Sequence, residues 1–356
     1  MPAHLSYKIE LTPEILNIIA ALDEFKGRWA ATQVLAPDRL TALRHVATIE
    51  SVGSSTRIEG VKLSNLEIEV LLRGIKTYSF RSRDEQEVGG YAELMETIFS
   101  SFKEIPLSEN HIKQLHGMLL KYSSKDERHR GEYKKFVNSV EAFDGQGKSL
   151  GVIFETASPL HTPARMTALI DYTNTQLQKK ELHVLLVIAV FVVVFLEIHP
   201  FQDGNGRLSR ALTTLMLLQA GYSYVPYSSF ERVIEENKDS YYLALRRAQT
   251  TLAKDQSGLG EWILFFLRSM QKQKNVLEKK LAIELVAASL APLSAQIIEL
   301  IKSRGPSSVA ETVAATGANR NTIKLHFRTL VAEGYLQVVG VGRGVRYRLK
   351  AHGVLS

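Results

Sequence analysis

An unbroken apolar run from Val184 to Leu196, rich in valine, leads into Glu197, Ile198, His199 and Pro200. It is shorter than the roughly 18–20 apolar residues that cross a bilayer, so protein must bury it. A segment that is apolar on every face needs neighbours on every face, and it marks the centre of the fold. Its β-branched content suits a buried strand as well as a buried helix. The run ends at His199-Pro200, because a proline drives the residue before it out of the α region.

The residues that follow carry chemistry: His199-Pro200-Phe201-Gln202-Asp203-Gly204-Asn205-Gly206-Arg207-Leu208-Ser209-Arg210. A new amphipathic pattern starts at Arg207, with Leu208, Ala211, Leu212, Leu215 and Met216 at helical spacing. Gly221 stands where a C-terminal cap belongs. Asp203 to Gly206 therefore enters the N-terminus of a helix, where free N–H groups and the helix dipole attract anions. Gly204 and Gly206 let the backbone approach a phosphate closely. Arg207 and Arg210 share a helix face, and their guanidinium forks match phosphate oxygens. Asp203 supplies a hard oxygen suited to Mg²⁺. His199 titrates near neutrality and can take a proton from an attacking hydroxyl. Phe201 reads as a core anchor.

The chain has 356 residues, above the size at which single cores stop growing, so two or three domains are expected. It has no cysteine, which excludes disulfides, thiolate metal sites and thiol nucleophiles. Met1 to Glu10 lacks a signal-peptide core, and a cytoplasmic protein with no membrane partner is expected. The net charge of +7 permits an acidic partner without demanding one.

The pattern HPFxDGNGRxxR resembles the Fic (filamentation induced by cAMP) family, and the resemblance extends over most of the chain. It implies a mainly α fold: a Fic-type helical core with a small β-hairpin flap and, in this chain, a C-terminal winged helix-turn-helix. The run before the motif is then a central helix. The implied activity is transfer of AMP from ATP, with Mg²⁺, to a Tyr, Thr or Ser hydroxyl of a protein. His199 would be the base, Asp203 the metal ligand, Gly204, Asn205 and Gly206 the phosphate cradle, and Arg207 and Arg210 the clamp. Ile112, Leu115, His116 and Gly131-Glu132-Tyr133 resemble further family features, with Lys134 where the family usually has Arg. The Asp144–Gly147 turn and Gly151-Val152-Ile153-Phe154 correspond to the flap, where an extended segment of the protein substrate could dock by strand addition. Tyr242 corresponds to a residue near adenine, and Gln249 stands where some relatives place Asn. Trp262 and the run Ile263 to Leu267 read as core.

Ser55-Thr56-Arg57-Ile58-Glu59-Gly60 matches the family's inhibitory pattern [S/T]xxxE[G/N]. Ser55 and Glu59 share a helix face, and Glu59 can pair with Arg210 in place of the ATP γ-phosphate. Beyond Pro292 a helix–turn–helix and two strands are expected, with Asn319 as a cap. Arg320, Lys324 and Arg328 lie on the last helix, and Arg343, Arg346, Arg348 and Lys350 on the wing. Such a module suits DNA, target docking or a homodimer. The expected divisions are an N-terminal helical region 1–105, a Fic core 106–275, a linker helix 276–290 and the winged helix 291–356. Three rivals stay open: another Fic-type transfer, removal of AMP with Glu59 positioning water, and a DNA-binding regulator with a silent core.

Overall fold

A computed structural model describes residues 6–31, 37–74, 80–143, 149–289 and 291–350. The helices before the first hairpin are α1 (Pro13–Ala31), α2 (Pro37–Ile58), α3 (Asn65–Gly74), α4 (Arg83–Ser101) and α5 (Glu109–Leu119). Strands β1 (Ser139–Phe143) and β2 (Ser149–Glu155) pair antiparallel, with register shifts between Val140 and Glu141 and between Ala142 and Phe143. Then come α6 (Thr162–Lys179), α7 (Val184–Ile198), α8 (Asn205–Gln219), α9 (Phe230–Glu236), α10 (Lys238–Thr251) and α11 (Leu259–Ser289). The last elements are α12 (Pro292–Arg304), α13 (Val309–Thr316), α14 (Arg320–Ala332), β3 (Leu336–Val339) and β4 (Arg346–Leu349). The fold is mainly helical with small antiparallel hairpins, as expected. The Asp144–Gly147 turn lies outside the described residues. Among those described, no helix is long and apolar enough to cross a membrane.

The chain divides into two compact units, whose described residues are 6–31 with 40–275, and 37–39 with 276–350. The apolar run is a helix, and every residue of α7 from Leu185 to Ile198 is buried. Neighbours α6 and α8 pack on it, and Trp262 donates its indole N–H to the Ala189 carbonyl at 2.7 Å. This surrounding packing offsets the modest helix preference of its valines. The helix ends at His199, which adopts φ 52° in the left-handed region, with its N–H on the Phe195 carbonyl at 2.9 Å. Pro200 follows and cannot continue the helical ladder.

Helix α8 starts two residues earlier than the Arg207 onset that periodicity gives, because Gly204, at φ 80°, turns the chain directly into Asn205. It closes at Gly221, φ 86°, with Tyr222 N–H on the Leu217 carbonyl and Gly221 N–H on the Leu218 carbonyl. That is the Schellman pattern expected of a left-handed glycine cap.

In the second unit Ile297, Ile298, Ile301, Ile323, Phe327, Leu330 and Leu336 form the core. Phe327 stacks on Tyr347 at 3.9 Å, linking α14 to β4. Ser308 and Glu311 make a reciprocal capping box at the start of α13. Asn319 accepts from the Asn321 N–H at 2.8 Å and caps α14.

Candidate active site

The loop between α7 and α8 is braced from three directions. His116 on α5 is fully buried and stacks on Phe201 at 3.8 Å. Its Nδ1 accepts from the Gly131 N–H at 3.0 Å, so its Nε2–H donates to the Asp203 carbonyl, also at 3.0 Å. Burial holds its pKa down at about 4, which keeps this neutral tautomer. Asn205 clasps the backbone of Phe201, accepting from its N–H at 2.9 Å and donating to its carbonyl at 2.7 Å. The Asn205 side chain is thus spent on the loop, which leaves its backbone N–H to face an anion. Phe201 is fully buried, the core position expected of it.

The third brace is Lys134. Its ammonium is buried and donates to Ile198 carbonyl at 3.0 Å, Asn138 Oδ1 at 2.8 Å and Thr156 Oγ1 at 2.7 Å. An ammonium has three donors, and all three are used. They tie the last residue of α7 to both roots of the hairpin. Burial lowers the lysine pKa to about 8. Sequence reading noticed only that Lys134 replaces an arginine, and nothing in the spacing reveals these partners.

His199 is half-buried at the mouth of this loop. Its Nδ1 lies 3.3 Å from the Leu196 carbonyl, which can only accept, so Nδ1 carries the proton and Nε2 the lone pair. Burial, aided by the Lys134 charge, pushes its pKa down to about 4. It is therefore a neutral acceptor at physiological pH.

Asp203 Oδ1 accepts from the Gly204 N–H at 2.6 Å and from Arg207 at 3.3 Å. Among the described residues, Oδ2 sees only the longer approaches of Lys125 at 3.6 Å and Arg83 at 3.8 Å. Burial raises the carboxyl, but Arg207, the Gly204 N–H, Lys125 and Arg83 together bring it below its ordinary value. Arg207 is almost fully buried and pairs with Glu87 at 2.9 Å. Its Nε has no hydrogen-bond partner among the described residues. Glu87 lies 120 residues away in sequence, and no motif announces it.

Arg210 is also buried. It donates from Nε to Ser55 Oγ at 2.8 Å, and from one terminal nitrogen to the Ser55 carbonyl at 2.9 Å and to Glu59 Oε1 at 2.7 Å. Burial opposes the Glu59 charge, yet Arg210 overrides it and holds the carboxyl below its ordinary value. The carboxylate sits over Gly206: a Cβ there would lie 2.2 Å from Glu59 Oε1. Glu59 therefore occupies the anion position at the N-terminus of α8. Gly60, at φ 105°, ends the segment. Its end is pinned by Arg57, bonded to both oxygens of Glu235 at 2.7 and 3.0 Å, and by Lys238 on the Ile58 carbonyl at 2.8 Å.

Tyr242 on α10 is half-buried. Burial first, then the Glu59 charge, raises its phenol well above the ordinary value, which puts it within electrostatic reach of the Glu59 carboxylate. Gln249 is buried on the same helix. Gly151 to Phe154 lie on β2, paired with β1.

Residues 106–217 match the model of the Fic/DOC family. The chain is similar to a probable protein adenylyltransferase of Aquifex aeolicus, 28% identical over 99 residues, which are 28% of each chain. It is also similar to a Fido domain-containing protein of Dictyostelium discoideum, 37% identical over 71 residues, or 17% of this chain and 50% of that protein. The chain thus matches at most half the length of these two relatives. Among solved structures, a Fic family protein from Desulfovibrio desulfuricans G20 aligns with TM-score 0.59 at 24% identity, over 98% of this chain and 100% of that one. A Fic domain containing signaling protein from Bacteroides thetaiotaomicron VPI-5482 aligns with TM-score 0.56 at 23% identity, over 74% and 97%. Both share the fold. The loop described above lies inside the residues that match the Fic/DOC family model.

The brace at Lys134 generates one prediction. Lys134→Met leaves the buried Ile198 carbonyl without its donor, and should cost about 1–3 kcal/mol. Lys134→Arg should cost less. Urea unfolding checks both, and a Met variant as stable as the parent contradicts the bracing role.

Proposed function

We propose that this chain is a protein adenylyltransferase held inactive by its own Glu59. The observation that carries the reading is the Glu59 carboxylate lying on Arg210 and over Gly206, where a triphosphate oxygen would bind. A carboxylate and a phosphate compete for the same guanidinium and the same helix N-terminus. The first N–H groups of α8 have no intrahelical partner, and Gly204 at the N-cap has no side chain to cap them, which supports an anion there.

Without Glu59 in place, Arg210 and the backbone of Gly204 to Gly206 would bind the β- and γ-phosphates of ATP. Arg207, buried against Glu87 and Asp203, would act on phosphate chiefly by its charge. Asp203 Oδ2, with only long contacts to cations, fits a Mg²⁺ brought in with the nucleotide. Among the described residues no cluster of three His, Cys, Asp or Glu could hold a resident ion. When bound, Mg²⁺ would neutralise phosphate charge. A target hydroxyl oxygen would attack the α-phosphorus. A new P–O bond forms, the bond to the bridging oxygen breaks, and pyrophosphate leaves with the electron pair. The hydroxyl proton passes to His199 Nε2. Tyr242 suits the adenine side. The two-stranded sheet leaves one edge of β2 without a strand neighbour, which supports docking of an extended segment near Gly151 to Phe154.

The second unit supports a narrower second reading, nucleic-acid binding by a winged helix. Arg320, Lys324 and Arg328 are all exposed on α14, four residues apart. Arg346 is already held by Glu311 at 2.6 Å and by the Pro306 carbonyl at 2.8 Å, so it braces the unit.

Glu59→Gly should raise AMP transfer about 10–100-fold, the factor matching loss of a charge-assisted contact of about 1.5–3 kcal/mol. Intact-mass spectrometry after incubation with Mg-ATP checks it. His199→Ala on that background should lower transfer about 10²–10⁴-fold. Equal transfer with and without Glu59 would sink the inhibitory reading, and loss of AMP release from a modified target in Glu59→Gly would favour the hydrolytic rival.

The His199 protonation state gives a pH prediction. Its pKa near 4 keeps the base neutral, so kcat/KM of Glu59→Gly should be free of a His199 limb between pH 5 and 8. Glu59 raises the His199 value, so removing it moves the limb lower still. Bound triphosphate, being anionic, should raise it, and the kcat limb should lie above that of kcat/KM. An acid limb in kcat/KM near 6.5 would count against this environment.

For the second reading, replacing Arg320, Lys324 or Arg328 should flatten the salt dependence of DNA binding by about one slope unit per lost contact. A slope unchanged by these replacements, in a gel-shift titration, rejects phosphate contact by α14.

A further inference from the structure

We propose that the corner between α9 and α10 sets how firmly Glu59 blocks the anion site, with Glu235 and Lys238 as positioning residues. The inference rests on the inhibitory reading above and names what holds the inhibitor in place. Glu59 lies just beyond Ile58, the last helical residue of α2. Its N–H bonds the Thr56 carbonyl at 3.1 Å. Gly60 N–H bonds the Arg57 carbonyl at 3.0 Å, and Val61 N–H the Thr56 carbonyl at 3.2 Å. This is a Schellman turn, with Gly60 at φ 105° as its left-handed residue. A residue at the cap stands half outside the helix. The helix ladder alone therefore does not fix where the Glu59 carboxylate lies.

Two cations hold the turn instead. Arg57, in the last turn of α2, uses all five of its N–H donors. Two go to the oxygens of Glu235 at 2.7 and 3.0 Å and one to Ser54 Oγ at 3.3 Å. The other two go to the Leu63 carbonyl at 3.2 Å and Asn65 Oδ1 at 3.1 Å. Lys238, the first residue of α10, donates to the Ile58 carbonyl at 2.8 Å. That carbonyl lies at the helix end, where intrahelical donors run out and the dipole favours a cation. Glu235 and Lys238 are three residues apart, separated by Glu236 and Asn237. One corner thus grips both a side chain and the backbone of the turn that carries Glu59. The corner is itself fixed, since Asn237 donates to the Val233 carbonyl at 2.7 Å and accepts from Lys272 at 2.9 Å.

Exposure separates the part of this contact that can open from the part that cannot. One turn earlier on α9, Glu231 is buried and accepts from Ser51 of α2 at 2.8 Å and from Tyr91 at 3.2 Å. That contact belongs to the core. Arg57 and Glu235 are each about a quarter exposed, and Lys238 is exposed. The corner contacts can therefore break while α2 stays docked. Breaking them frees the turn, and the carboxylate spends less time on Arg210. A competing triphosphate then binds more tightly in proportion to the fraction of chains whose anion site is open. The gain has a ceiling, which is the gain from removing the carboxylate altogether.

Isothermal titration of the full chain with Mg-ATP tests this, alongside hydrogen exchange of residues 53–61 without nucleotide. Glu235→Gln and Lys238→Met should each speed that exchange and tighten ATP about 3–30-fold. Glu59→Gly should tighten ATP at least as much. On the Glu59→Gly background the same two changes should move the affinity by no more than about twofold, the non-additivity of groups acting through one contact. A variant that only damaged packing would weaken ATP on both backgrounds. Lys238→Arg keeps the donor and should bind ATP as the parent does. Affinity and exchange unchanged in Glu235→Gln and Lys238→Met, while Glu59→Gly tightens ATP, overturns the corner's role and leaves the inhibitory reading standing. Equal tightening by the corner variants with and without Glu59 also overturns it. Affinity unchanged in Glu59→Gly itself sinks the inhibitory reading and this proposal with it. Neither measurement requires transfer, so an inactive chain still decides the outcome.

Discussion

The site depends on one constraint: a helix buried on every side must stop at Pro200. Helix α7 is completely covered, so its end is fixed in position by the whole core. His199 takes the left-handed conformation that ends the helix, and the chain reverses into α8 within a few residues. Everything chemical follows from that reversal. His199 stands at one end of a short loop, a helix N-terminus opens at the other, and the loop cannot drift because His116, Asn205 and Lys134 bond its backbone or the helix end directly.

A second layer is electrostatic. Arg207 and Arg210 are both buried, and a buried guanidinium needs compensation. Glu87 and Asp203 serve Arg207, while Glu59 and Ser55 serve Arg210. The difference between the two arginines is where the partner comes from. Glu87 is buried on α4, in the body of the domain. Glu59 follows the end of α2 and is about a third exposed, so its carboxylate can leave while the arginine stays. A charge balanced by a removable partner is the physical basis of an inhibited anion site.

Much of this was legible in the chain. The motif from His199 to Arg210 picked out the histidine, the glycine turn and the two arginines that the fold brings together. Ser55 and Glu59, four apart before a glycine, named the group now found on Arg210. Gly221 marked the end of α8, and Asn319 the start of α14. The periodicity missed the first turn of α8, because Gly204 starts a helix through its backbone angle and leaves no mark in an apolar pattern. The spacing placed Asn205 in the loop but could not reveal that its side chain is occupied by the Phe201 backbone. The spacing could not reveal the three bonds of Lys134, the Glu87 partner of Arg207, or the hold of Glu235 and Lys238 on the end of α2. Most of those pairs are far apart in sequence, and only packing brings them together.

By itself the sequence determined which groups could do chemistry, since residue type and short spacing fix donors, acceptors and helix ends locally. It also determined that the run from Val184 to Leu196 would lie at the centre, because a run apolar on all faces is stable only when covered, while its helical form was left to the tertiary packing. Tertiary structure alone decided whether those groups were available. Burial set His199 as a neutral acceptor, long-range pairing committed Arg207 to Glu87, and the approach of α2 laid a carboxylate on Arg210. Availability depends on which charges and dipoles lie within a few ångströms, and that is a property of the folded chain in three dimensions.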